Sequence, residues 1–188
     1  VGCATNGYYT EGSLRDLASA ADFVNIGLKG VSDARYRACG AISAKPAFRA
    51  VETLYGAGVH VEVSCIHARG YDDEIRAAAA RVAAISPDIP FLVMRFIPFG
   101  DEPPVMEPTI AESERICDEL RRVLRHIYLF NSPGTRYLDT TCPSCGETVV
   151  RREFFGPMGA RTIAIPPDAR CSCGYLLPVT GSIGETSY

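Results

Sequence analysis

Four cysteines near the C-terminal end stand at spacings that suit a metal ion. Cys142-Pro143-Ser144-Cys145-Gly146 brings two thiolates three residues apart, near enough to share one ion, and its glycine permits the turn that aims backbone amides at sulfur. A second pair, Cys171-Ser172-Cys173-Gly174, follows after residues 146–170 and also ends in glycine. Four thiolates satisfy a tetrahedral ion completely, so a closed, structural centre of the zinc-ribbon kind is expected here. The single residue between Cys171 and Cys173, where two are usual, leaves iron or three-cysteine ligation open beside zinc. Cys3, Cys39, Cys65 and Cys117 lie far apart among apolar residues and read as small core side chains. Cysteine usage of this kind fits a reducing, cytoplasmic compartment better than a disulfide framework.

A second set of chemically able residues falls at the ends of expected strands, where parallel βα sheets gather their chemistry. These are Thr5, Asn6, Lys29, Ser64 to His67, Arg95 and Asn131. Lys29, set between an apolar run and Gly30, is poorly explained as solvated surface and is expected to meet a ligand. Asn6-Gly7 reads equally well as a turn that serves its own backbone. Glu62 stands between Val61 and Val63; with the valines against helices its carboxylate points inward, either to a cation such as Arg95 or to substrate. His67 reads as a solvated loop histidine, and residues 69–73 as a turn leading into a helix.

The elements that hold these residues alternate strand and helix at roughly 30 residues per unit. Strands are expected at Val1–Ala4, Phe23–Leu28, Val59–Ile66, Phe91–Ile97 and Ile127–Phe130. Helices are expected after Thr10, from Pro46 to the Gly56-Ala57-Gly58 stop, from Asp72 to Ile85 before Ser86-Pro87, and from the Thr109/Glu112 capping box to a basic last turn at Arg121, Arg122 and Arg125. This order implies a parallel sheet with right-handed crossovers. Five strands are too few for an eight-stranded barrel, so the fold class is α/β, a partial, open TIM-type barrel. Near Ser132-Pro133-Gly134 the pattern gives way to paired cysteines, glycines and short β-like runs at 148–150 and 162–165, dividing the chain into 1–133 and a small metal-stapled module at 134–188.

Net charge is -3 and the basic residues are scattered, which gives a nucleic-acid role no support. No apolar stretch reaches the length of a membrane span. No glycine-rich phosphate loop follows any expected strand, which disfavours a phosphate-binding βα enzyme.

Taken in order, Thr5-Asn6-Gly7, Val24-Asn25-Ile26-Gly27-Leu28-Lys29-Gly30, Gly58-Val59-His60-Val61-Glu62-Val63, Pro87-Asp88-Ile89-Pro90, Arg95-Phe96-Ile97-Pro98 and Cys142-Pro143-Ser144-Cys145-Gly146 resemble a radical S-adenosylmethionine (SAM) enzyme. The nearest branch is the pyruvate formate-lyase-activating-enzyme-like group that includes the AmmeMemoRadiSam system enzymes, whose barrels end in a cysteine-rich module. The resemblance implies a partial barrel in which a 4Fe-4S cluster cleaves SAM and the 5′-deoxyadenosyl radical abstracts hydrogen. It implies that Thr5, Asn6 and Lys29 help line the SAM and substrate cavity, and that Glu62 and Arg95 shape the barrel interior. Three departures accompany it: no Cys-x3-Cys-x2-Cys or Gly-Gly-Glu motif occurs, Gly27 stands where a carboxylate is common, and Ile97 stands where a histidine is common. The chain is accordingly expected to be the C-terminal part of such an enzyme or activase, with no catalytic residue of its own. Its expected partner is a protein substrate or a complementary N-terminal half. The alternative is a non-catalytic binding subunit built on a degenerate barrel.

Overall fold

The computed structural model describes residues 1–101, 103–156 and 159–179. Five parallel strands, β1 (Gly2–Thr5), β2 (Phe23–Leu28), β3 (His60–His67), β4 (Phe91–Arg95) and β5 (Ile127–Phe130), pair in the order of the sequence. Helices α1 (Glu11–Ala20), α2 (Asp33–Ala38), α3 (Lys45–Gly56), α4 (Asp72–Ile85) and α5 (Ile110–Leu120) fill the connections. Among the described residues neither β1 nor β5 pairs with a further strand, so the sheet is open. No described helix is long and apolar enough to cross a membrane.

Alternation along the strands sets the two faces. Val24, Ile26, Leu28, Val61, Val63, Phe91, Val93, Ile127 and Leu129 are buried against Phe48, Val51 and Leu54 of α3, Ile75 and Val82 of α4, and Ile116 and Leu120 of α5. Burial of this kind contributes about 1.5–3 kcal/mol per large apolar side chain. The intervening residues, Asn25, Gly27, Glu62, Ser64, Leu92 and Tyr128, lie half-buried on the other face. A second, antiparallel sheet of β6 (Thr140–Thr141), β7 (Thr148–Phe154) and β8 (Ala160–Ala164) follows, with its own small core of Cys142, Val149, Val150, Ala169, Cys171 and Leu177.

Local signals place the helix ends. The capping box closes as expected, with Glu112 N–H donating to Thr109 Oγ1 at 3.1 Å and Thr109 N–H to Glu112 Oε2 at 2.7 Å. Helix α3 stops where Gly58 takes a φ of 84°, and its N–H reaches Tyr55 O at 3.0 Å. Helix α5 ends at Leu120, short of the basic residues expected as its last turn. Helix α2 escapes periodicity because its six residues span less than two turns; Ser32 caps it by accepting from Arg35 N–H.

His67 corrects the sequence reading. Strand β3 extends one residue further than expected, and the alternation carries His67 to the helix side, where it is 1 % exposed. Its Nδ1 meets Ser113 Oγ at 2.9 Å and its Nε2 meets Asp72 Oδ1 at 3.2 Å, tying β3 to the starts of α4 and α5. The Asp-His-Ser order is that of a hydrolytic triad, but Ser113 is fully buried, so the arrangement is a structural tie. Of the four dispersed cysteines, Cys65 and Cys117 are core residues and Cys3 packs against the core, whereas Cys39, at the end of α2, is exposed.

The loop after β2 is pinned by Glu74 in the first turn of α4. Its Oε2 accepts from Val31 N–H at 2.7 Å and Ser32 N–H at 3.1 Å. Burial alone would raise this carboxyl, but the hydrogen bonds from Ser32 and Val31 outweigh it and hold it below the usual range. Gly30 makes room for this contact: it has a φ of 121°, and a Cβ there would stand 2.4 Å from Glu74 Oε2. Gly30→Ala should therefore cost about 1–3 kcal/mol of unfolding free energy, and the Gly30→Ala/Glu74→Ala double variant should lose less than the sum of the single losses, as chemical denaturation can measure. Burial also lowers the His67 pKa despite the pull of Asp72. A depressed histidine contributes stability above its unfolded pKa of about 6.5 and loses it as pH falls. The melting temperature should thus fall more steeply from pH 7.5 to 5.5 in the parent than in His67→Gln; equal slopes would remove His67 from the pH dependence.

Candidate functional site

At the C-terminal ends of β2 to β5 the open face holds a cavity of about 430 Å³ lined by Gly27, Lys29, Ser64, Met94, Arg95 and Asn131, among others. Lys29 is half-buried, and among the described residues its ammonium has no hydrogen-bond or ion-pair partner. Its backbone is fixed: Lys29 N–H donates to Tyr36 Oη at 3.4 Å, and Lys29 O accepts from Arg35 Nε at 3.3 Å. The Lys29 backbone is therefore fixed at the cavity while its ammonium has no counter-charge among the described residues.

Arg95 is differently placed. Its side chain is 11 % exposed and held by three contacts, with Nη1 on Glu107 Oε1 at 2.6 Å and Pro108 O at 3.1 Å, and Nε on Asn131 O at 3.0 Å. Asn131 returns the contact through Nδ2 to Arg95 O at 3.1 Å and adopts a left-handed φ of 57°. Its Oδ1 is buried and, among the described residues, has no partner. Lys29 thus offers a donor to the cavity, Asn131 lines it with its Oδ1 turned out of reach of solvent, and Arg95 holds the wall between β4 and β5.

Thr5 and Asn6 also lie at a strand's C-terminal end but do not line this cavity. Thr5 Oγ1 accepts from Gly7 N–H at 3.1 Å and Asn6 Oδ1 from Tyr8 N–H at 3.0 Å, so both side chains serve their own turn. Gly7 completes it with a φ of 75° and a close approach to Ala47, where a Cβ would stand 2.9 Å from Ala47 Cα. Glu62 faces inward as expected, but its partners are His60 Nε2 at 3.6 Å and Asn25 Nδ2 at 3.5 Å, with Arg95 taken by Glu107. Register explains the difference: Arg95 pairs with His67, five residues further along β3 than Glu62. The hydrogen bond with His60 lowers the Glu62 carboxyl and raises the His60 imidazole. Sequence reasoning passed over Asn25 and Glu74, whose partners become visible only through strand register or a loop over 40 residues away, and over His60, whose partner Glu62 stands two residues on along the same strand face, a spacing that strand alternation could have revealed.

The four module cysteines converge. Their sulfurs all lie within 4.8 Å of one another, with Cys142 to Cys173 at 3.6 Å and Cys145 to Cys171 at 3.5 Å. Bond lengths of about 2.3 Å to a tetrahedral ion would set the sulfurs about 3.8 Å apart. Both loops close alike: Gly146 N–H reaches Cys142 O at 2.9 Å and Gly174 N–H reaches Cys171 O at 2.8 Å. The tighter second loop still bonds Cys171 N–H to Tyr175 O at 2.9 Å, which accounts for its one-residue spacing. The Tyr175 N–H holds Cys173 down to about 7, whereas on Cys145 the lowering by Glu147 N–H is outweighed by hydrogen bonds from Cys171 and its neighbours, and the thiol rises to about 12. Sulfurs this close cannot all ionise without a cation, and a divalent ion removes that conflict. None of the four lines the strand-end cavity. Purified protein should carry about one metal ion per chain by elemental analysis, Cys171→Ser should lose it, and a chelator should unfold the module before the parallel sheet; a metal-free protein with unchanged melting would refute this centre.

No family model matches the sequence. An uncharacterised protein of Methanocaldococcus jannaschii is 27% identical over 158 residues, covering 80% of this chain and 46% of that protein. Among solved structures, SuiB of Streptococcus suis matches with a TM-score of 0.54 at 10% identity, over 68% of this chain and 32% of that one. SuiB bound to S-adenosylmethionine matches with a TM-score of 0.53 at 10% identity, over 68% and 30%. The chain thus spans about half the length of the curated relative and about a third of the solved chains, and what it shares with SuiB is the fold.

Proposed function

We propose that this chain is the C-terminal part of a radical SAM enzyme or activase, with 1–133 contributing the SAM- and substrate-facing wall and 134–188 a structural metal module. The observation that carries this reading is Lys29, anchored by its backbone and with no partner for its ammonium among the described residues, in a strand-end cavity on a fold shared with a protein solved with SAM bound. A cavity of about 430 Å³ lies within the 300–1,000 Å³ range of small-molecule sites. Lys29 would take the ligand's carboxylate, and Arg95 would position the wall that carries Asn131. Thr5 and Asn6 would shape the neighbouring rim through their turn, and Glu62 the inner surface below.

SAM fits these residues; a 4Fe-4S cluster does not. The four cysteines form a closed set away from the cavity, and no Cys-x3-Cys-x2-Cys motif occurs in the sequence. No step through a cluster is therefore assigned to this chain's own residues, and the cysteine set is read as a zinc site. In a longer enzyme, a cluster held by residues outside this chain would supply the reductive cleavage of SAM, and the part of Lys29 would be to bind and orient the SAM carboxylate. The complementary cluster-bearing half, or a protein substrate, is the proposed partner, and the cytoplasm the proposed location; neither nucleic acid nor membrane is assigned a part.

A second reading, a non-catalytic binding subunit, is favoured by Gly27 and Ile97, which present no polar side chain where relatives carry one. Calorimetric titration with SAM tests the first. Lys29→Ala should weaken binding about tenfold or more, the loss of one charge-assisted hydrogen bond. A longer chain bearing the cluster motif should release 5′-deoxyadenosine with SAM and reductant, whereas residues 1–188 alone should not. Unchanged affinity in Lys29→Ala would remove the cavity assignment; SAM binding without 5′-deoxyadenosine in the longer chain would favour the second reading.

A further inference from the structure

Each loop of the cysteine centre contributes one buried and one exposed residue: Cys142 and Cys171 are buried, Cys145 and Cys173 exposed. Across the loops an exposed cysteine faces a buried one, Cys173 to Cys142 at 3.6 Å between sulfurs and Cys145 to Cys171 at 3.5 Å. Cys142 Sγ also accepts from Ser144 N–H at 3.4 Å, which fixes its position. The group is therefore built as two pairs, each with one open and one shielded member, and each pair spans the loops.

A bound ion sets the chemistry of these pairs. It keeps all four sulfurs as thiolates, and the thiolate is the form that attacks a peroxide. Solvent exposure gives such a reagent access to Cys145 and Cys173, and the buried sulfur opposite each one stands where a resolving thiolate is needed. Closing the 3.5 Å pair to a disulfide length of about 2.05 Å takes a movement of about 1.5 Å. Cys39 is also exposed, but it stands outside the four-sulfur group and gains no resolving partner from it.

We propose that the four-cysteine centre is an oxidation site, at which hydrogen peroxide exchanges the bound ion for a disulfide between the two loops. The thiolate of Cys173 or Cys145 attacks one peroxide oxygen; the O–O bond breaks, hydroxide leaves and the sulfur becomes a sulfenic acid. The buried thiolate opposite, Cys142 or Cys171, then displaces the sulfenic oxygen as a second hydroxide and forms the S–S bond. Two electrons pass from the two sulfurs to the two peroxide oxygens, and no further reactant is needed. The two thiolates that remain are too few to hold a tetrahedral ion, which departs as the aqueous cation. The loops stay joined, because the disulfide now ties them as the ion did. This inference rests on reading the cysteines as a metal centre and is independent of the SAM assignment.

The test treats the zinc-loaded chain with about one equivalent of hydrogen peroxide beside a chromophoric zinc indicator. About one zinc per chain should be released. Trypsin cuts after Arg136, Arg151 and Arg170, leaving Cys142 and Cys145 on peptide 137–151 and Cys171 and Cys173 on peptide 171–188. Mass spectrometry of the unreduced digest should find these two peptides joined, and dithiothreitol should part them. Cys39→Ser should release zinc and join its peptides to the same extent. Zinc retained under excess peroxide, disulfides confined within either peptide, sulfinic acids in place of a disulfide, or release lost in Cys39→Ser would each overturn the proposal. A chain that takes up no zinc would refute the metal reading alone; the same digest of the reduced, peroxide-treated chain then decides, joined peptides upholding the oxidation site and separate ones removing it.

Discussion

A single layer of helices covers one face of the parallel sheet, and this asymmetry decides what every strand residue can do. Residues at alternate positions are forced under α3, α4 and α5, where only apolar or fully bonded groups are tolerated. His67 meets that demand by bonding both ring nitrogens. The other set escapes it, so the same strands carry Asn25, Glu62, Ser64 and Tyr128 on the opposite surface without interrupting the core. Among the strand residues, the half-buried polar side chains lie on that second surface and its rims.

The rims are held by charges spent on backbone rather than on one another. Glu74 binds two amides of the β2–α2 loop, and Arg95 binds the carbonyls of Pro108 and Asn131 as well as Glu107. Loops fixed in this way can hold neighbouring groups in unfavourable states. Among the described residues Asn131 Oδ1 is kept buried without a donor, at a cost that the anchoring contacts offset.

Much of this was legible in the sequence, and the limits follow from the range of each signal. Strand order, the capping box at Thr109 and the glycine stop at Gly58 are local, and they hold. The cysteine set is also local within each pair, and the convergence of the pairs follows from the valence of the ion they suit. Pairing across strands was beyond reach. The pairing of Arg95 with Glu62 fails because the register places Arg95 opposite His67, and the solvated reading of His67 required a strand one residue shorter than the one that forms. Short-range turn chemistry explains why Thr5 and Asn6 read two ways: side chains able to bind a ligand are equally able to bond the amides of Gly7 and Tyr8, and in the folded chain they do.

The metal module gains its meaning from where it sits. Its buried core comprises few side chains, two of them the ligands Cys142 and Cys171, so its order depends on the ion more than on apolar burial. Yet it reaches the sheet through specific contacts, Tyr128 Oη with Thr140 Oγ1 at 2.8 Å and Arg152 over the Tyr128 ring. Leu177, in the same small core as the ligands, also lines a cavity between the module and the sheet. One side chain therefore belongs both to the core that packs around Cys142 and Cys171 and to the wall facing the sheet, so a displacement of the cysteine loops is felt at that wall through direct packing.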